Sequence, residues 1–308
     1  MNFNRRVIDF VKHSKKFFWL SGIFTVVGII VLFTFGLNLG IDFSSGSKVE
    51  IMADEPLTST QISEDFKQIG NGYEPNDISL AGANNDVAYA TFVGELDTNE
   101  VAEIQSYFKE KYQHEPNISI VSPMVGKELA KNALIAVALA SLGIVIYVAF
   151  RFELPYGVTA IVSLLHDAFF IVVIFSLLRI EVNAPFIAAV LTIVGYSIND
   201  TIVTFDRIRE NLKLEKKVKT YKDLAHLVNL SLTQTLSRSI NTVLTVILAA
   251  AAIFVFGSEA IRSFAFALLI GLVAGTYSSM FLAAQLWLIW EGKTLGKKRK
   301  VSSNAQVE

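Results

Sequence analysis

Cysteine is absent from the 308-residue chain, which rules out a disulfide framework, a thiolate metal centre and a thiol nucleophile. Histidine is nearly absent, with four in all, and none sits in an H-E-x-x-H arrangement. No glycine-rich phosphate loop occurs, so neither a zinc hydrolase nor ATP chemistry is indicated. Charge is scarce: 18% of residues are charged against 52% hydrophobic, and mean hydropathy is +0.47. That balance is too apolar for an ordinary soluble protein and predicts a polytopic α-helical membrane protein. We expect no enzymatic centre, cofactor, metal or nucleic-acid partner, and the lipid bilayer as surroundings.

What the chain has instead is long apolar runs. A span needs about 20 apolar residues to cross roughly 30 Å of hydrocarbon. Six runs qualify: Phe17–Leu37, Asn132–Phe150, Leu154–Leu178, Val182–Phe205, Leu236–Phe256 and Ser263–Trp290. The first carries no charge, exceeds the apolar core of a secretory signal and is followed by no small-residue cleavage site, so a retained span is expected. Six spans place both ends on one side, and lysine and arginine indicate which. Arg5, Arg6, Lys12, Lys15, Lys16, Arg151, the run from Arg207 to Lys222 and the run from Lys293 to Lys300 fall together. Lys48, Lys67, Lys109, Lys111, Arg179 and Arg262 fall opposite. Both termini are therefore expected in the cytoplasm, with Trp287 and Trp290 at the last interface. The expected order is a cytoplasmic N-terminus (1–16), a first span (17–37), an extracytoplasmic domain (38–126), a five-helix membrane region (127–290) with a basic cytoplasmic loop near 206–230, and a basic, disordered tail (291–308).

The segment between the first two spans alternates as a small soluble fold does. Ser47–Ala53 has strand character, and Thr58-Ser59-Thr60-Gln61 opens a helix ending near Gly70. Ile78–Ala81 and Val87–Val93 flank the hairpin signal Gly82-Ala83-Asn84-Asn85. Thr98 is placed to cap a helix carrying Val101, Ile104 and Phe108, and Ile118–Val121 closes the set. The order β-α-β-β-α-β predicts a small α+β, ferredoxin-like domain.

Polar residues inside the apolar runs are the chemical signal. Asp200 lies in the fourth run and Arg238 in the fifth, and an isolated charge at mid-bilayer costs roughly 2.5–3.5 kcal/mol on insertion scales. Ser231, Gln234, Arg238, Asn241 and Thr245 step by three and four along one helical face. Thr192, Tyr196, Asp200 and Thr204 do likewise, with Asn199 beside them. Thr159, Ser163, His166 and Asp167 form a third stripe. Three such stripes predict a shared, hydrated interior in which Asp200 meets Arg238. Burial favours the neutral acid and a close guanidinium favours the carboxylate, so moving the guanidinium would bind or release a proton. The bland alternative is a static pair that fixes helix packing, and His166-Asp167 divides between fold stabilisation and an auxiliary relay. Gly271-x-x-x-Gly275-x-x-x-Ser279 signals close helix packing. Ser197 in Gly-Tyr-Ser-Ile-Asn lacks the glycine that a nucleophile elbow needs. Asp42, in Gly40–Gly46, is expected to be a turn residue.

The run Gly195-Tyr196-Ser197-Ile198-Asn199-Asp200-Thr201-Ile202-Val203, followed by Phe205-Asp206-Arg207-Ile208-Arg209-Glu210-Asn211, resembles the six-span SecF branch of the SecD/SecF family, relatives of the resistance–nodulation–division transporters. Arg151-Phe152-Glu153, His166-Asp167, Ser237-Arg238-Ser239-Ile240-Asn241-Thr242 and Gly275-Thr276-Tyr277-Ser278-Ser279 support the likeness. The resemblance implies a multi-pass protein of the bacterial cell membrane that uses a proton or sodium gradient to promote late, ATP-independent movement of preproteins. It implies proton conduction by Asp200 and Arg238, and as partners a SecD-like sister subunit, the Sec channel complex and the unfolded preprotein. Where that family's motif after the first span usually ends in Gly-Gly, this chain has Ser45-Gly46. The alternative is a half-transporter exporting a small hydrophobic solute.

Overall fold

A computed structural model describes residues 7–70, 72–82, 84–215 and 218–304. Arg5, Arg6, Ala83, Lys216, Lys217 and residues 305–308 lie outside them. The chain divides into two units. One is helical (1–38, 137–180 and 185–308); the other combines 39–136 with 181–184.

The second unit holds the sheet. Its strands are β1 (Gly46–Met52), β2 (Asp77–Ala81), β3 (Val87–Phe92) and β4 (Asn117–Val121), ordered β2-β3-β1-β4 with every pair antiparallel. The register sets Val49 opposite both Ala90 and Ile118, so one face carries the small and branched residues inward. Helices α3 (Ser59–Ile69) and α4 (Thr98–Tyr112) cover that face through Ile62 with Phe66 and Ile104 with Phe108, four residues apart and fully buried. Burying such a side chain contributes about 1.5–3 kcal/mol. Thr58 caps α3 by accepting the Gln61 N–H. The cap of α4 is Asp97 rather than Thr98, because the Asp97 carboxylate accepts from both Asn99 and Glu100 N–H while Glu100 reaches back to the Asp97 N–H. This is the expected ferredoxin-like order.

The segment leading into β1 corrects one expectation. Asp42 lies in a one-turn helix, α2 (Ile41–Ser44), and its Oδ2 accepts the Ala184 N–H at 2.8 Å. It therefore caps the incoming α7 rather than serving only its own turn. Ser45 follows with φ 61° and ψ 153°, backbone space that glycine occupies at little cost. The turn keeps a glycine-like conformation although serine fills it. Gly46 has no such latitude, since an added Cβ would lie 2.3 Å from the Phe92 carbonyl oxygen.

Among the described residues six helices are long and apolar enough to cross a membrane, by length and composition. They are α1 (Ser14–Phe35), α5 (Pro123–Arg151), α6 (Leu154–Leu178), α7 (Ala184–Leu214), α8 (Tyr221–Phe256), and a rod made of α9 (Glu259–Ser278), a π-helical turn (Ser279–Ala283) and α10 (Ala284–Asn304). Four of these, α5, α7, α8 and the last rod, outrun the apolar runs by nine residues or more. The Arg207–Leu214 stretch continues α7, and α8 begins fifteen residues before Leu236, because polar partners bind the two extensions: Asn211 Nδ2 donates to Ser231 Oγ (2.8 Å), and Arg207 Nε and Asn211 Nδ2 donate to Gln234 Oε1 (2.6 and 2.9 Å). After Glu291 the helix continues to Asn304, and the last four residues of the tail lie outside the described ones. Trp287 is buried against Tyr156, with ring centroids 4.8 Å apart, and so is not an interfacial anchor; Trp290 is partly exposed.

Candidate functional site

Small residues bring three helices close enough for short side chains to meet. A Cβ on Gly271 would overlap the Ile193 side chain at 2.3 Å, and one on Gly275 would come within 3.2 Å of Ser197 Cβ. Expected as packing, this small-residue ladder also delivers Ser278 and Ser279 to the start of the π turn. A π turn changes the helical phase, and such turns recur at functional sites.

Two carboxylates converge there. Asp167 on α6 is fully buried. Its Oδ2 accepts from Ser197 Oγ of α7 at 2.5 Å and from Ser278 Oγ at 2.7 Å, while His166 Nδ1 stands 3.4 Å from Oδ1. Asp200 on α7 is half-buried and accepts from Ser239 Oγ of α8 on one oxygen and from Ser279 Oγ, at 2.5 Å, on the other. Neighbouring serines on one helix thus hold two acids from two other helices. Among the described residues no lysine or arginine lies within 4.0 Å of either carboxylate.

The expected Asp200–Arg238 contact takes a different form. Both residues line one cavity of about 60 Å³, together with Tyr196, Asn199, Thr242 and Thr276, but they form no ion pair. Arg238 is exposed in the isolated chain, and so are Asn199, Asn241 and Tyr196. The cause is rotational. Successive residues on a helix are turned by about 100°, and it is Ser239, not Arg238, that faces the bundle interior. Of the expected α8 face Ser231 is buried, while Arg238, Asn241 and Thr245 are exposed; the buried polar stripe runs on from Ser231 through Thr235 and Ser239, one position past Gln234 and Arg238. On α7 likewise Ser197, Thr201 and Thr204 are buried while Thr192 and Tyr196 are not. Gln234 belongs to the Arg207–Asn211 cluster rather than to the acids. The α6 stripe of Thr159, Ser163 and Asp167 is buried, with the His166 ring between Phe170 and Tyr277.

The sequence reading therefore found the acids and missed the serines that hold them. Ser239 stands beside Arg238 in the same motif, and Ser278-Ser279 end the small-residue ladder, so their positions carried the only available signal. No group of three His, Asp or Glu side chains suited to a metal ion occurs among the described residues.

Comparison with known proteins bears on these geometries. Residues 101–293 match the family model of the protein export membrane protein SecD/SecF, C-terminal, and residues 30–57 match the SecD/SecF GG motif. The chain is 54% identical over 289 residues to the protein translocase subunit SecDF of Bacillus subtilis, covering 94% of this chain but 39% of that protein. It is 42% identical to the protein translocase subunit SecF of Alicyclobacillus acidocaldarius, covering 97% of this chain and 98% of that one. Among solved structures it is similar to crystalline SecDF of Thermus thermophilus, described as a translocon-associated membrane protein, with TM-score 0.83, 32% identity, and coverage of 93% of this chain and 39% of the other. A super-membrane-facing form of SecDF gives TM-score 0.67 at 30% identity over 98% of this chain and 40% of that one.

Proposed function

Because this multi-pass membrane chain belongs to the SecD/SecF family of protein export membrane proteins, we propose that it serves the Sec translocon by coupling a proton or sodium gradient to late, ATP-independent movement of preproteins. The observation that carries this reading is the pair of serine cradles, two hydroxyls on Asp200 and two on Asp167 beside the His166 imidazole, with no lysine or arginine on either acid. An ionised carboxylate only accepts, and a protonated one must also donate, whereas a serine hydroxyl does both. Serines can therefore hold an aspartate in either protonation state, at the cost of reversing one hydrogen bond. A lysine or arginine partner would instead lock the charge in place.

Protonation of Asp200 would turn one of its two serines from donor to acceptor. Ser239 belongs to α8 and Ser279 to the π turn, so the change bears on two helices at once. Arg238, permanently charged, stands on the rim of the same cavity. Moving one elementary charge through 100 mV supplies about 2.3 kcal/mol. That is enough to bias a two-state helix arrangement through one ion per cycle.

The exposed charged and polar face of α8 and the exposed apolar faces of α1 and α5 fit a chain covered by a sister subunit. The SecDF relatives, of which this chain spans 39%, suggest SecD as that partner. Basic flanks orient both termini toward the cytoplasm. The test is export into inverted vesicles with and without an imposed gradient. Asp200→Asn should abolish gradient stimulation while leaving assembly with the sister subunit intact. Unchanged stimulation in that variant would remove the proposal, and gradient-dependent efflux of a hydrophobic dye without any export defect would favour a solute transporter.

A further inference from the structure

On α10, Leu286, Ile289, Trp290 and Lys293 recur at helical spacing and share one face. On α6, Val158 and Val162 are one turn apart and share another. These two faces line a groove of about 440 Å³. Ligand sites run to about 300–1,000 Å³, and the cavity beside Asp200, at about 60 Å³, falls far below that. Aliphatic side chains form the walls of the groove, and Trp290 and Lys293 stand at one end.

Its length matches one leaflet of a bilayer. The stacked rings of Tyr156 and Trp287, 4.8 Å apart, set the register of the two helices. From that stack Val162 lies ~9 Å along α6 in one direction, and Lys293 lies ~9 Å along α10 in the other. The hydrocarbon of one leaflet is about 15 Å deep, half of the roughly 30 Å core. The groove thus runs the depth of a leaflet. Beyond the stack α6 has two residues left, so Lys293 clears the apolar run and reaches the polar surface.

Charge at the mouth is unbalanced. Lys293 is exposed, and among the described residues no carboxylate lies within 4.0 Å of its ammonium. The arginines at this end are paired, Arg151 and Arg209 with Asp206 and Arg207 with Glu210. Thr294 donates its hydroxyl to the Trp290 carbonyl at 3.2 Å, so its proton is taken. The Lys293 ammonium and the Trp290 indole, 40% exposed, are left to meet an incoming group. Lys297-Lys298-Arg299-Lys300 follow on the same helix and extend the positive field.

We propose that this groove binds one anionic phospholipid of the leaflet beside the basic flanks, its acyl chain between α6 and α10 and its phosphate on Lys293. The aliphatic walls take the chain, and the ammonium donates to a phosphate oxygen in a charge-assisted hydrogen bond. Trp290 suits the boundary, since an indole keeps an apolar body and a polar N–H. The lysine stem lies along the apolar wall while its head reaches the surface. A headgroup with a net negative charge is preferred over a zwitterion, whose own cation offsets the phosphate. Basic clusters next to a span select anionic lipid on the same ground. Exposed apolar faces elsewhere, such as that of α5 around Leu134, carry no such cation and bind lipid without preference.

The site rests on the membrane-spanning placement of these helices and not on gradient coupling. The chain, assembled with its sister subunit, is placed in bilayers of phosphatidylglycerol and phosphatidylcholine in equal parts. It is then released into mild detergent, and the lipids it keeps are counted by native mass spectrometry. One phosphatidylglycerol should survive a release that strips phosphatidylcholine. Lys293→Gln should lower its occupancy at least about fivefold, as loss of one lysine beside anionic lipid implies. Val162→Trp, which fills the groove with an indole, should lower it as much. Leu134→Trp on α5, at a position 74% exposed and outside the groove, should leave it unchanged. Equal retention of the two lipids, or unchanged occupancy in either groove variant, would overturn the site. Loss of the sister subunit from Val162→Trp, with the lipid kept, would show that a protein covers the groove and would also overturn it.

Discussion

In the α+β unit Asp65 is almost fully buried, and it is held by the Lys111 ammonium and by the Tyr112 hydroxyl at 2.6 Å. In the helical unit Asp167 is just as buried and has only Ser197 and Ser278 hydroxyls, with an imidazole at 3.4 Å. The same side chain at the same burial thus has opposite company. A cation beside a buried carboxylate fixes its charge and makes it a structural tie. Hydroxyls beside an imidazole, with no permanently charged partner, do not fix it in that way. The first arrangement suits a domain that must keep its shape, and the second suits a bundle whose parts must respond.

Breaking each cradle should expose the difference. Asp65→Ala removes the counter-charge of Lys111 and the acceptor of Tyr112. Loss of one partner of a buried pair costs about 3–5 kcal/mol. Lys111 keeps a third of its side chain in solvent, so we expect about 2–3 kcal/mol, read as a lowered urea midpoint of the domain's transition in the full chain. Ser45→Gly should act in the other direction. Relief of the φ 61° backbone outweighs the added freedom of the unfolded chain and stabilises the same domain by about 1 kcal/mol. Asp167→Asn should change bundle stability by less than about 1 kcal/mol, because the amide oxygen still accepts from both serines. Gradient-dependent export should nevertheless fall, and a large stability loss in this variant would erase the contrast with Asp65.

Alkaline titration gives the smallest effect. Burial, then the Asp65 hydrogen bond, raises the Tyr112 phenol above its usual 10.0. Burial pulls Lys111 down, yet the hydrogen bond and charge of Asp65 outweigh it and raise the amine above 10.5. A raised value means that the folded state holds its proton more tightly than the unfolded chain does. The resulting stability is complete below about pH 10 and is lost as pH climbs through the raised values. Melting the α+β domain between pH 8 and 11 checks this. A domain that strengthened above pH 10 would contradict it.

Much of the architecture was legible in the residues because each element has a one-dimensional cause. Apolar run length gave the spans, with Leu154–Leu178 matching at both ends. Alternation and turn residues gave the β-α-β-β-α-β order. Helix ends were less legible where polar residues continue a helix: Arg207–Leu214 and Tyr221–Gln234 are polar by composition and helical because they bond each other. The acids stood out because charge is costly in an apolar run. The serines did not, since a serine in a helix usually satisfies itself on the backbone and costs little. Facing was the hardest quantity to read. Arg238 and Ser239 belong to one motif, and only packing decided which of the two turned inward.

The notch at Gly271 sets a limit on how the bundle can respond. Ile193 occupies the space where any larger residue at 271 would put its first carbon. That peg-and-socket fit resists rolling of α9 about its long axis, since a turn of about 100° would bring Ile270 or Leu272 against Ile193. The same close approach sets Gly275 against Ser197, so the helix spacing that the notch permits is the spacing at which a side chain as short as serine reaches a carboxylate on the next helix.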